Sequence, residues 1–231
     1  MMKVMKTYQA IKLVIGEVLP DKLLLACLNS IIHNDEAHNL DHIQKVVTLG
    51  NELADRTELS MKHRQMVLAG CLMHDLGCRY HRKTHHQISY GLAFEYLEKF
   101  GDGIFTEEEI LVIAESCLQH RASWTEDRSG QICDLVALAD RGIWNKKEYV
   151  TRSVQFHLHR IGELGIDAVR KEVQMHIPDK FGEDGYAWKK YPRIGFTLFE
   201  KEIEDFKRFA LSPAEIDKMI DVVLNELKLF R

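Results

Sequence analysis

Apolar residues recur along this chain at intervals of three and four, the period of helices that bury one face and leave the other in water. Leu40, Ile43, Val46, Val47, Gly50, Leu53 and Ala54 form one such stripe. Similar stripes predict helices over Val4–Val18, Lys22–Ile32 and His85–Phe100, and from Thr106 to about His120. Ser60 stands where an N-cap belongs, and Thr84 with Gln87 and Thr106 with Glu109 have the spacing of capping boxes. Arg121–Gln131 reads as a polar loop, and Ile132–Ala139 as a short apolar helix that delivers Asp140 at its end. From Asn145 to His176 the periodicity is weaker but still helical. Pro178–Pro192 reads as a long loop, and the last helices fall at Gly195–Phe209 and Pro213–Phe230, the second opened by Ser212. No segment demands a sheet and no segment repeats. The pattern predicts an all-α protein: one helical domain over 1–231 with its core at about 35–145, and a C-terminal helical subdomain from about 146.

One element departs from the one-faced pattern. Met66 to Met73 carries no charge on any side, so it belongs inside a core rather than on a surface. It runs directly into His74, Asp75 and Leu76, with Gly77 expected as the C-cap. A carboxylate at a buried helix C-terminus is opposed twice, by desolvation and by the negative end of the helix dipole. A metal ion would offset both effects. A neutral, hydrogen-bonded His-Asp pair is the alternative.

Composition narrows the class without changing it. With 231 residues, 45% of them hydrophobic and 29% charged, the chain can bury a sizeable core in one large domain or two small ones. A formal net charge of -4 argues against a protein that coats a nucleic-acid polymer. The cysteines at 27, 71, 78, 117 and 133 are odd in number, lack a Cys-x-x-Cys pair and sit mostly in apolar helical patterns. They are expected to be reduced, in a cytoplasmic protein. Lys12 and Glu17 interrupt the apolar stretch near the N-terminus, which therefore reads as an amphipathic helix rather than a signal peptide or membrane span.

Of the twelve histidines, His33, His63, His81, His157, His159 and His176 lie in polar company and are expected to be solvated or locally hydrogen-bonded. His42, His74, His86 and His120 instead recur at the end or first turn of a helix with an apolar stripe, and Asp75 and Asp140 share that placement. A mixed imidazole and carboxylate set suits iron, manganese, zinc or nickel better than magnesium or calcium, which take all-oxygen shells.

The ordered series resembles the HD-domain metal-dependent phosphohydrolases. It comprises His42 within His-Ile-Gln-Lys-Val, His74-Asp75 followed by Leu-Gly, His86 within His-His-Gln-Ile-Ser, His120, and Asp140 within Leu-Ala-Asp. The resemblance covers roughly residues 35 to 145 and implies an HD-domain helical bundle. It also implies that His42, His74, Asp75 and Asp140 bind one metal, with His86 and His120 completing a binuclear centre. His85 competes with His86 for that role, and the family register favours His86. His38, one turn before His42, is a further donor by type, expected to be a solvated first-turn residue. The extra histidines are similar to those of the symmetrical dinucleoside tetraphosphate hydrolases. Gly77 and Cys78 stand where guanosine-alarmone hydrolases carry a Glu-Asp pair, and the Gly-Tyr-Pro signature of the cyclic-di-GMP branch is missing.

On this reading the protein cleaves a phosphomonoester or phosphoanhydride of a nucleotide-like small molecule with metal-activated water, and His74 and Asp75 are its catalytic residues. The cofactor is a divalent transition metal, iron or manganese first with zinc, nickel or cobalt open, in two ions. Arg79, Arg82, Lys83 and Arg121 lie close in sequence to the expected ligands and are candidate phosphate contacts. The partner is a small phosphorylated substrate, with no nucleic-acid polymer and no membrane, and the sequence leaves the oligomeric state open. A di-iron oxygenase on the same scaffold, or a regulatory module that binds a nucleotide without turnover, are the rival readings.

Overall fold

The computed structural model describes residues 2–142 and 145–229, apart from the side chain of Glu36. These residues form α-helices and three short 3-10 turns, with no strand among them. They group into two compact units. One runs through Gly142 and takes in Pro192–Ile194; the other holds the remaining described residues up to Tyr191 and from Gly195 onward.

The first unit contains α1 (Met2–Ile15), α2 (Asp21–Ile31), α3 (Leu40–Arg56), α4 (Met61–Met73), α5 (His85–Phe100), α6 (Glu107–Gln119) and α7 (Gln131–Arg141). The 3-10 turns Glu36–His38 and Leu76–Arg79 precede α3 and follow α4. As its uncharged sequence demands, α4 is the centre: every residue from Met66 to Met73 is buried, and α3, α6 and α7 pack around it. Gly70 lets α6 and α7 come close, since a Cβ there would collide with the Ser116 hydroxyl and lie 2.7 Å from Val136. The end of α4 is therefore held on several sides at once.

Capping explains most of the boundaries. The Ser60 hydroxyl accepts from the His63 N–H and opens α4. Thr106 and Glu109 form the expected capping box at the start of α6. Thr84 makes no such cap. Its hydroxyl instead lies 2.8 Å from Nδ1 of His81. Gly77 is likewise not a left-handed C-cap. The helix ends at Met73, His74 is its C-cap in right-handed geometry, and Gly77 lies within the following 3-10 turn. Its need is close approach: a Cβ would strike the carbonyl oxygen of His85 and come within 2.8 Å of Ile88.

The second unit contains α8 (Lys146–Ile161), α9 (Ile166–Phe181), α10 (Tyr186–Lys189), α12 (Glu200–Ala210) and α13 (Pro213–Glu226), while α11 (Arg193–Leu198) begins within the stretch assigned to the first. The weak pattern from 145 to 176 is two helices broken by Gly162–Gly165, with Gly165 at φ +92°. The expected loop at 178–192 is partly helical, because α9 continues through Pro178 to Phe181 and α10 follows. Phe230, the expected end of the last helix, lies outside the described residues. Val150, Val154, Val173, Ile177 and Phe181 form the core of this unit, with the Phe181 ring 4.6 Å from that of Phe206. His157, expected in polar surroundings, is buried beside the His176 ring at 5.8 Å.

Candidate metal centre

Four helix ends and one turn meet at the C-terminal end of α4. The N-cap Asn39 accepts from the N–H groups of Asp41 and His42, so α3 starts at Leu40 and His42 lies in its first turn. The chain leaves α4 through His74 and Asp75, which are 0% and 1% exposed. α5 begins at His85, α6 ends just before His120, and α7 carries Asp140 in its last turn.

Three of the imidazoles are oriented by the same device. Nδ1 of His74 lies 2.9 Å from the carbonyl of Cys71, that of His85 2.8 Å from Arg82, and that of His120 2.7 Å from Cys117. In each case the carbonyl belongs to the residue three positions earlier. A carbonyl can only accept, so Nδ1 carries the hydrogen and Nε2 is left facing the centre.

Asp75 divides the cluster. Its Oδ2 lies 3.2 Å from Nε2 of His74 and 3.4 Å from Nε2 of His42. Oδ1 lies 3.3 Å from Nε2 of His85 and 3.7 Å from Nε2 of His120. Asp140 Oδ1 completes the first group, 3.2 Å from His42 and 3.5 Å from His74. Although Oδ2 of Asp75 has nitrogens at these distances, none is aimed at it as a hydrogen-bond donor, and the oxygen is buried without a partner.

Electrostatics separates the two groups as well. Burial opposes charge on His74 and His42, yet the carboxylates of Asp75 and Asp140 outweigh it and raise both imidazoles above their ordinary value. Burial alone would raise the two carboxyls, but the surrounding histidines hold both well below the usual carboxylate range. On the other side burial wins: His120 is pushed down to about 3 and His85 is also lowered.

Such a donor set fits metal ions. The Nε2 atoms of His85 and His120 lie 3.1 Å apart, and in neutral rings with Nδ1 protonated both present lone pairs. Two lone pairs facing each other repel unless a cation lies between them. An orphaned carboxylate oxygen between two imidazoles carries the same implication on the other side. His42, His74 and Asp75 form one group of donor atoms within 4.8 Å of one another, His74, His120 and Asp140 a second, and Asp75, His85 and His120 a third.

The structure thus brings together His42, His74, Asp75, His120 and Asp140, and it places His85 rather than His86 among them. The reason is helical direction. His85 is the first residue of α5 and is 2% exposed, whereas His86 points about 100° away around the helix. There its Nδ1 is 3.4 Å from Nη1 of Arg121. Burial first, and then the Arg121 charge, lower its pKa.

The candidate phosphate contacts are engaged elsewhere or point outward. Arg79 donates to the Ser30 hydroxyl at 3.3 Å, towards α2, and its guanidinium covers the Tyr80 ring. Arg82 approaches Asp35 at 3.4 Å, and Lys83 is exposed. Arg121 donates to the carbonyl of Lys83 at 2.6 Å, which braces the start of α5 against the end of α6.

Sequence reasoning missed several residues that hold this arrangement. Asn34 Nδ2 donates to the carbonyls of Asp75 and His38, both at 3.0 Å. The Ser89 hydroxyl, fully buried, accepts from the Gly77 N–H at 2.9 Å. His38 is part-buried rather than solvated, and its Nδ1 is 2.6 Å from Asp35. Asp35 and Asn39 stand as successive N-caps, a spacing the sequence does display. The reach of Asn34 across forty-one positions leaves no such local mark.

All five cysteines are free and buried, including Cys78, whose Sγ lies 3.5 Å from Asp75 Oδ1. No helix among the described residues is long and apolar enough to cross a membrane. Residues 39–144 match the family model described as HD domain. No curated protein and no solved structure matches the chain.

Proposed function

The chain belongs to the HD-domain family through residues 39–144, and from that premise we propose that it is a metal-dependent phosphohydrolase acting on a small phosphorylated, nucleotide-like substrate. His42, His74, Asp75 Oδ2 and Asp140 would hold one divalent transition metal. Asp75 Oδ1, His85 and His120 would hold a second, with His85 in the role first given to His86. When bound, such ions polarise a phosphoryl group and lower the pKa of a coordinated water towards neutrality.

The chain's own residues do the rest. Backbone carbonyls at Cys71, Arg82 and Cys117 fix three rings in one tautomer, so the donors need little rearrangement to act. Asp75 gives one oxygen to each side and is the natural bridge. His42 and Asp140, with side chains 23% and 22% exposed, mark the side on which the cluster meets solvent and substrate. The observation that carries the reading is the division of the two Asp75 oxygens between two pairs of imidazoles.

The decisive experiment reconstitutes the purified protein with manganese or iron under reducing conditions. It then follows phosphate release from a panel of phosphorylated metabolites, with oxygen consumption alongside. Turnover of at least one phosphate ester or anhydride is expected, lost in His74→Ala and Asp75→Ala together with bound metal while helical content persists. Near-wild-type turnover in either variant would overturn the proposed centre. Oxygen uptake without phosphate release would transfer the same ligands to an oxygenase.

A further inference from the structure

Within the second unit a seam of polar side chains runs between α8 and α9, and none of them belongs to the metal centre. Tyr149, Ser153 and His157 recur at every fourth position and so share one face of α8. His176 and Lys180 have the same spacing on α9, against which α8 packs. The Tyr149 hydroxyl lies 3.0 Å from Nε2 of His176, and the His157 ring lies 5.8 Å from the His176 ring. Those contacts turn this face of α8 towards α9, with Ser153 midway along it. Nζ of Lys180 stands over three rings, 4.7 Å from the centre of Tyr149, 5.3 Å from Phe181 and 5.8 Å from Tyr186. Lys180 is half-buried and Tyr186 is 46% exposed, so this end of the seam reaches solvent.

Two polar groups in the seam lack any partner. Ser153 and His157 are each 7% exposed, and Ser153 Oγ and His157 Nε2 are buried without a hydrogen bond. A helical hydroxyl ordinarily returns to the carbonyl four residues back, as Thr151 does to Lys147 at 2.8 Å, and Ser153 does not. Buried polar groups left in this way are costly. A hydroxyl rotates to suit its partner and a neutral imidazole can carry its hydrogen on Nε2, so both groups can donate. Charge is unbalanced at the same place. Among the described residues neither Lys180 nor Arg152 forms an ion pair. Burial first, and then the charge of Arg152, lower the Lys180 pKa. Asp179 and Glu172 act on His176 but pair with neither cation.

We propose that this seam is a second ligand site, which binds a phosphate group through Ser153 Oγ and His157 Nε2 and balances its charge with Lys180 and Arg152. A metal ion would meet two cations there. A water molecule would serve the two orphaned atoms but leave the like charges of Lys180 and Arg152 uncompensated. An apolar ligand would do neither. A dianion with several acceptor oxygens satisfies both donors and both charges, which a singly charged carboxylate does less completely. Tyr149, held by His176, and Tyr186 form the aromatic walls. The site uses no residue of the metal centre and does not depend on the phosphohydrolase reading.

The test titrates manganese-loaded full-length protein with inorganic phosphate by calorimetry, with metal content read by elemental analysis. One class of phosphate binding is expected to weaken about tenfold or more in Lys180→Met, and about threefold in Arg152→Met and in Ser153→Ala, with metal content unchanged. In the wild type, saturating phosphate is expected to slow reductive methylation of Lys180, read by mass spectrometry, and to leave that of the exposed Lys189 as it was. If Lys180→Met does not fold, Arg152→Met at its exposed position decides together with Ser153→Ala. Phosphate affinities untouched by the substitutions, or equal methylation of Lys180 with and without phosphate, would overturn the inference and leave the phosphohydrolase standing. A loss in Lys180→Met with none in Ser153→Ala would reduce the site to surface charge and overturn it as well. A phosphate class abolished by these substitutions, in a protein that hydrolyses no ester, would keep this site and overturn the hydrolase instead.

Discussion

His85 and His86 are chemically identical neighbours, and one rotation along a helix gives them different work. His85 faces Asp75 and His120, and His86 lies against Arg121. His85→Ala is therefore expected to lower the saturating metal ratio from two towards one, whereas His86→Ala keeps both ions. Elemental analysis of the two variants, reconstituted side by side, checks this, and the reverse outcome would restore His86 as the ligand. His120 carries a second expectation at this scale, for protein stripped of metal. Burial lowers its folded pKa to about 3, while in the unfolded chain it titrates near 6.5. The unfolded state thus gains a proton between these values that the folded state refuses, so stability falls as the pH drops from about 6.5 towards 3. His74, raised above 6.5, is protonated in the folded state throughout that window, so its stabilising contribution is complete below 6.5 and is lost only as pH rises through its folded pKa. Thermal melts of the metal-free protein across the window should show a shallower acid slope in His120→Gln than in wild type.

At the scale of the element, the centre depends on how the turn after α4 meets the start of α5. Gly77 makes the contact possible because its missing Cβ leaves room for the His85 carbonyl, and Ser89 accepts the N–H that the turn would otherwise bury unpaired. Gly77→Ala must push the turn off α5, and overpacking of this kind costs about 1–3 kcal/mol. The same shift separates Asp75 from His85. The expected outcome is a lower melting temperature and weaker binding at the site formed by His85 and His120. Calorimetric titration with manganese would show it as loss of the second binding step, and an unchanged isotherm would mean that the turn tolerates the methyl group. Local chemistry forecast the elements themselves well where a cap or a stripe was complete, as at Ser60, Thr106 and Ser212. After Thr84 the helix begins where expected although the hydroxyl bonds His81 instead of capping it, and the forecast failed across 178–192, where burial of Phe181 and Trp188 extends helices that propensity alone would end.

For the whole molecule, metal binding should be linked both to protons and to folding. Asp75 and Asp140 raise His42 and His74, so an ion must displace protons that these carboxylates favour. Manganese affinity is expected to weaken as pH falls below the raised histidine pKa values, with proton release on binding, measurable by titration in buffers of different ionisation enthalpy. Saturating metal should also raise the melting temperature, since a ligand at about a hundred times its Kd adds about 2.7 kcal/mol to the folded state; a melting temperature indifferent to chelator would sink the linkage. The sequence by itself determined the helical class, the burial of α4 and the delivery of His74 and Asp75 to its end, because a segment without charge can reach a free-energy minimum only inside a core. It also singled out His42, His120 and Asp140, each of which follows from the position of a helix terminus. Only the tertiary structure decided between His85 and His86, brought Asn34 to Asp75, and paired Arg79 with Ser30 and Arg82 with Asp35. The physical reason is range. Periodicity and capping act within a turn or two of helix, whereas the direction of a ring and the partner of a cation are set by elements that meet from distant parts of the chain.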